Sequence, residues 1–279
     1  MSDSTNPPTP TPERSSAAAV AAKANATAYL ATIPPEIESG RHLLQRYSHI
    51  AAEDVDAHIF RIRDKAWAVF PYGCIGNFWF LNLQPLLQDD LFQRVLYRLR
   101  SPGSTESFLD VGCCLGLVVR HLAAEGVSSE RLYGTDLQPL FLDLGYELFC
   151  DRDMAKSQAT FVAGDMVRDN HDAAFQPLVG KIDVIYATAF FFLFERHDQL
   201  RAAKRMVSFL RSDNPDAMIF GYNNGKKIPG WEKYVLDVES WRSMWDEVGE
   251  ATGTSWRTEM EMEVDGEWIK VKFAVYRAL

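Results

Sequence analysis

The chain has 279 residues, 47% apolar and 24% charged, a balance that excludes both a disordered polymer and a fibrous repeat. Asp and Glu number 38 against 29 Lys and Arg, a formal charge of −9, so nucleic acid is not expected as a partner. Cys74, Cys113, Cys114 and Cys150 form no C-x-x-C and no two histidines have H-x₃₋₅-H spacing, so neither a disulfide framework nor a metal site is expected.

In chain order, residues 1–32 read as a flexible Pro/Ala-rich tail: Pro7, Pro8, Pro10 and Pro12 deny it a helix or a sheet interior. Asp3 and Glu13 precede the Ala-rich run, which lacks the basic start and apolar centre of a signal peptide. Residues 33–103 read as a helical cap with a lid segment. Val55, Ile59, Ile62, Ala66 and Val69 fall on one helical stripe, as do Leu87, Leu91, Val95 and Leu99, and Ser101-Pro102-Gly103 ends the second helix. Between them, Phe70–Phe80 is rich in aromatics, but its Pro and two Gly argue against a regular element.

Residues 104–279 change rhythm. Strands are predicted at 107–111, 131–135, 160–163, 182–187 and 217–222, with helical patterns between them, the order of a parallel sheet wrapped on both faces. A further helix carries Val238, Trp241, Trp245 and Val248. Two strands around Asp265-Gly266 then form an antiparallel hairpin. The longest apolar run, Val184 to Phe194, is well short of the ~20 residues that span a bilayer, so no membrane insertion and a cytoplasmic location are expected.

The sharpest local feature is Phe108-Leu109-Asp110-Val111-Gly112-Cys113-Cys114-Leu115-Gly116, where the first strand turns into a helix. Ligands of open α/β sheets bind outside such strand ends, and helix N-termini there offer free N–H groups. Asp136 ends the second strand and Asp165 follows the third. One strand-end Asp is usually a helix cap. Three at successive strand ends suit a ligand with an ammonium group and a ribose but no phosphate. A nicotinamide-binding G-x-G-x-x-G would need glycine at positions 114 and 117, which are Cys and Leu.

These residues resemble class I S-adenosylmethionine-dependent methyltransferases. The resemblance implies an α/β, Rossmann-like seven-stranded sheet in the order 3-2-1-4-5-7-6 with strand 7 antiparallel, here with an N-terminal helical cap. By the same resemblance Asp110, Gly112, Cys113, Cys114 and Gly116 line the methionine part of S-adenosylmethionine. Asp136 holds the ribose, Asp165 and Met166 flank the adenine, and Leu137 and Ala187 complete the set. The sequence departs from the D-x-G-x-G-x-G pattern at its middle glycine, which is Cys114. Pro34–Arg41, Asp64–Trp67, Pro71–Gly76 and Phe80–Leu83 are similar to fungal meroterpenoid-pathway methyltransferases. That likeness implies methylation of the carboxyl of a farnesylated aromatic polyketide-type acid.

A carboxylate acceptor is ionised at neutral pH, since carboxyl pKa values lie near ~4, and needs only positioning and desolvation. Tyr72, Phe78, Trp79, Phe190, Phe192, Tyr222 and Trp231 are expected to enclose the hydrophobic acid. The alternatives are base-assisted methylation of a phenol, amine or thiol, with His197 or Asp198 as proton acceptor, or a non-catalytic cofactor-binding regulator. The sequence leaves monomer and homodimer both open.

Overall fold

The computed structural model describes residues 29–153, 158–168, 173–226, 237–265 and 268–278. Most of the expected tail, Trp231 and Gly266 of the expected turn lie outside the described residues.

The cap begins with α1 (Glu38–Ser48) and α2 (Val55–Val69). Val55, Ile59, Ile62 and Ala66 are all fully buried, so the predicted stripe is the face that α2 presents to the core. The Phe70–Phe80 segment, expected to be irregular, instead makes short helical turns. These are α3 (Gly73–Gly76) and a 3₁₀ turn at Trp79–Leu81, with Phe78 between them at φ +59°. The predicted helix through Leu87 and Leu99 is two helices, α4 (Gln84–Leu87) and α5 (Asp90–Arg100). The break has a local cause. The Asp89 carboxylate accepts the Leu91 N–H at 2.9 Å, which starts a new helix and leaves Leu87 exposed on the old one.

The remaining elements are β1 (Phe108–Val111), α6 (Leu117–Ala124), β2 (Leu132–Asp136), α7 (Pro139–Phe149), β3 (Thr160–Ala163) and β4 (Val184–Tyr186). They are followed by α8 (Arg196–Phe209), β5 (Met218–Lys226), α9 (Val238–Thr252), β6 (Trp256–Asp265) and β7 (Trp268–Arg277). The sheet order is β3-β2-β1-β4-β5-β7-β6, with β1 to β5 parallel and β7 antiparallel to both neighbours. This is the topology the resemblance implied.

Strand alternation divides the core. Phe108, Leu132, Val184, Tyr186 and Phe220 face a layer that includes Leu43, Ile59, Phe92 and Leu148 of the flanking helices. Leu109, Val111, Ile185 and Ile219 face the other layer, with Met206 of α8 and Trp241 of α9. Burial on both faces explains why β4 and the first residues of β5 are continuously apolar. The cap therefore shares a core with the sheet.

Strand order reverses between β1 and β4, and there the crevice opens at the carboxyl ends of the strands. β4 stops at Tyr186, opposite Phe220, while β5 and β7 continue through the pairs Tyr222–Lys272 and Asn223–Val271. They form a wall beside the crevice.

Candidate active site

The loop after β1 is shaped by three left-handed residues in close succession: Gly112 at φ +75°, Cys114 at +53° and Gly116 at +74°. Glycine adopts this conformation without strain, whereas Cys114 meets the steric cost of a Cβ. The Gly112 and Cys113 N–H groups donate to Thr135 O at 2.8 and 3.0 Å, joining the loop to β2. A Cβ on Gly116 would lie 2.3 Å from Arg120 Nη1, so only glycine fits there. Gly112 is exposed in the crevice, and the Phe190 ring lies 3.1 Å from where its Cβ would be.

An ion pair that sequence patterns did not reveal supports this loop. Arg120, buried in α6, donates to Asp151 through Nε at 2.9 Å and Nη2 at 3.0 Å, and to Leu115 O at 3.1 Å. Its guanidinium lies 4.4 Å from the Phe161 ring centroid. Asp151 also accepts from the Tyr47 hydroxyl at 3.0 Å, which ties α1 of the cap to the back of the loop. Nothing in the spacing of Arg120 and Asp151 announces this pairing; only the fold brings them together.

The carboxylates at the strand tips differ in environment. Asp136 Oδ2 accepts the Cys114 N–H at 2.8 Å and Oδ1 the Gln138 N–H at 2.9 Å. Burial nevertheless pushes its carboxyl up to about 6, against the pull of these bonds. Asp110 is 5% exposed and accepts no hydrogen bond from the described residues. Burial, reinforced by the nearby Asp136 charge, pushes it up to about 8. A carboxyl in such an environment resists ionisation, and a cationic group beside it would restore its ionised form. Asp165 turns its side chain onto the Val167 N–H at 3.1 Å, and Met166 is buried in the core. Leu137, by contrast, is 47% exposed immediately after Asp136. Ala187 is fully buried beyond β4.

The aromatic set divides. Tyr72 stands at the Asp136 corner, beside Cys74 and Cys114, with its ring 5.9 Å from that of Phe141. Tyr72, expected to enclose the acceptor, thus stands beside the loop after β1 and the tip of β2. Burial, with the Asp136 charge second, pushes its phenol up to about 12. Phe78 does not reach the crevice: it is fully buried edge-on against Phe60 at 5.5 Å, with Arg63 4.6 Å over its ring. The neighbouring Trp79 is 54% exposed. Phe190 lies over Gly112, while Phe192 is half-buried in the turn that follows.

Tyr222 sits on the wall beyond β4, with its N–H on Thr188 Oγ1 and its carbonyl accepting the Ala189 N–H at 2.8 Å. Burial, then the charges of Asp89 and Asp110, pushes it up to about 12. Tyr186, deeper in the same face, is raised well above the phenol range by burial. A hydrogen bond to the Cys74 thiol and burial hold Cys114 protonated, and burial does the same for Cys113. His197 projects from the first turn of α8 into solvent, 3.3 Å from Asp198 Oδ1. Asp198 is also 3.3 Å from Arg201. Among the described residues no cluster of His, Cys, Asp or Glu could hold a metal ion. No described helix is long and apolar enough to cross a membrane.

This strand order, with an acid-tipped glycine loop at the reversal point, defines a class I S-adenosylmethionine-dependent methyltransferase. The family described as "Meroterpenoid methyltransferase N-terminal domain" matches residues 28–81, and "Methyltransferase domain" matches residues 108–213. The chain is 40% identical over 238 residues to O-methyltransferase phiE of Fungal sp. (strain ATCC 74256), covering 82% of this chain and 77% of the relative. It is 36% identical over 225 residues to the Asnovolin E/Chermesin D methyltransferase nvfJ of Aspergillus novofumigatus (strain IBT 16806), covering 78% of each. The solved magnesium protoporphyrin IX methyltransferase of Synechocystis PCC 6803 with bound SAH aligns at 14% identity and a TM-score of 0.49, over 81% of this chain and 97% of that one. The chain belongs to the fungal meroterpenoid methyltransferases, and S-adenosylmethionine is its methyl donor.

Proposed function

We propose that the protein methylates the carboxylate of a hydrophobic, farnesylated aromatic acid. One observation carries this reading: the phenols of the crevice stay protonated and no described imidazole faces it, while Asp110 and Asp136 are, in this reading, engaged by the methyl donor. Tyr72 and Tyr222 are pushed up to about 12, so neither phenol is ionised at pH 7. Among the described residues, His58 bonds to Leu148 O, His121 packs against Phe92, and His197 is in solvent. An acceptor that arrives already ionised removes the need for a base.

In this reading Asp110 and the Gly112–Gly116 loop receive the ammonium-bearing methionine part of the donor. Asp136 offers its remaining lone pairs to the ribose hydroxyls, and the exposed Leu137 side chain covers one face of the adenine. Asp165 and Met166 border the other end, Asp165 with one carboxylate oxygen on the Val167 N–H and Met166 with its side chain in the core. Ala187 borders the donor at the tip of β4. S-adenosylmethionine supplies a methyl group on a sulfonium. The chain's own work is positioning: Phe190 and the β5–β7 wall hold the acceptor oxygen in line and exclude water, an arrangement that contributes roughly 7–11 kcal/mol in well-oriented reactions.

The test is the product and the pH profile. With a prenylated hydroxybenzoic acid as acceptor, the product should gain one CH₂ and lose it again in mild alkali, as an ester does and an aryl ether does not. At saturating donor, kcat should be flat from about pH 6 to 9. An alkali-stable product, or a limb of unit slope that disappears in His197→Ala, would establish base-assisted methylation instead.

A further inference from the structure

Beyond the carboxylate reading lies the question of what recognises that carboxylate. The donor end of the crevice is acidic, and an anionic acceptor entering near Asp110 and Asp136 meets repulsion unless a cation faces it. The wall supplies one. Tyr222 of β5 and Lys272 of β7 are direct cross-strand partners, so their side chains leave the same face of the sheet, just above the end of β4. That face is the one on which Tyr186 and Phe220 pack against Phe92 of α5. The N-terminus of α5 therefore brings Asp89 to the same spot.

Asp89 divides its two oxygens. Oδ1 caps α5 through the Leu91 N–H at 2.9 Å, and Oδ2 lies 3.9 Å from Lys272 Nζ. This separation holds the ammonium in place electrostatically but exceeds hydrogen-bond length, so the N–H donors of Lys272 stay free for a ligand. Lys272 is half-exposed, and the side chain of Glu261, its partner on β6, makes no ion pair with it among the described residues. The Tyr222 hydroxyl likewise donates to no described residue, and it lies within electrostatic reach of both Asp89 and Asp110. The wall thus presents two unused donors on adjacent strands, the charged Lys272 and the neutral Tyr222, of which Tyr222 lies within electrostatic reach of Asp110.

We propose that Lys272 Nζ and the Tyr222 hydroxyl together receive the acceptor's carboxylate, with Asp89 positioning the lysine, and so make the enzyme selective for acids over neutral analogues. Two donors on one carboxylate fix its plane and leave a lone pair of one oxygen directed at the methyl group. This inference rests on the carboxylate reading of the preceding section, and the experiment separates the two.

Enzyme loaded with S-adenosylhomocysteine is titrated with a prenylated hydroxybenzoic acid and with its primary amide. Wild type should bind the acid at least tenfold more tightly than the amide. Lys272→Met should lose that preference through weaker acid binding, while the Kd for the amide and for S-adenosylhomocysteine stays within twofold. Lys272→Arg should restore most of the preference, which a merely structural role would not require. Tyr222→Phe should weaken the acid several-fold more than the amide. A wild type indifferent to acid or amide overturns the carboxylate reading and this inference with it. A wild-type preference that survives in Lys272→Met overturns the assignment of Lys272 alone.

Discussion

Substituting Asp110 by Asn tests whether this buried carboxyl receives a cation. In the ligand-free protein Asp110 titrates at about 8 and Asp136 at about 6. At pH 7 Asp110 therefore carries about 0.9 of a proton and Asp136 about 0.1. A cationic donor keeps both ionised in the complex, so binding releases about one proton at pH 7 and about half a proton at pH 8. Donor affinity should thus rise about tenfold per pH unit around pH 7 and level off by pH 9. Stability runs the other way. A carboxyl whose folded pKa is raised binds more protons in the native than in the unfolded chain, so the ligand-free fold weakens as pH climbs from about 4 to about 8. The thermal shift given by the donor should grow over the same window. Calorimetry in buffers of different ionisation enthalpy counts the released protons directly. Asp110→Asn should cut the release at pH 7 to about 0.1, lower donor affinity about 10- to 100-fold at pH 8, and raise the melting temperature of the ligand-free protein there. Proton release near zero in wild type, or undiminished in Asp110→Asn, would refute the reasoning.

Other substitutions separate the parts of the site. Arg120→Met removes the ion pair from the fully buried Asp151, and chemical denaturation should show a loss of about 3–5 kcal/mol. Adjacent Phe78 and Trp79 should behave oppositely. Phe78→Ala should cost about 3–5 kcal/mol in the same assay. Trp79→Ala should change stability by no more than about 0.5 kcal/mol while raising the acceptor KM. Tyr72→Ala should raise the KM for S-adenosylmethionine more than that for the acceptor, because Tyr72 stands beside Asp136.

The fold was legible in the sequence because its signals are local and repeated. Apolar runs, helices between them and a terminal hairpin around Asp265 mark the strands and their alternation, while their order was what the family resemblance implied. Asp110 and Asp136 were legible for the same reason: each ends a strand, and strand ends of a parallel sheet meet at one edge. Aromatic residues gave no such guidance. Phe78 and Trp79 are neighbours in the chain, and only the left-handed turn at Phe78 decides which enters the core and which faces solvent. Tyr72, equally, is placed beside Asp136 by the packing of the α3 region against the loop after β1, a neighbourhood its local pattern does not announce.

What composition and periodicity determined was the sheet, its wrapping helices and the acidic loop, since each depends on residues close together in the chain. Tertiary structure alone decided which distant groups share an environment. Arg120 meets Asp151, Asp89 meets Lys272, and Tyr222 comes within reach of Asp110, pairings separated by dozens of residues or more in sequence. Charge and hydrogen-bond energies depend on separation in space and on burial, and neither quantity is written in local sequence pattern.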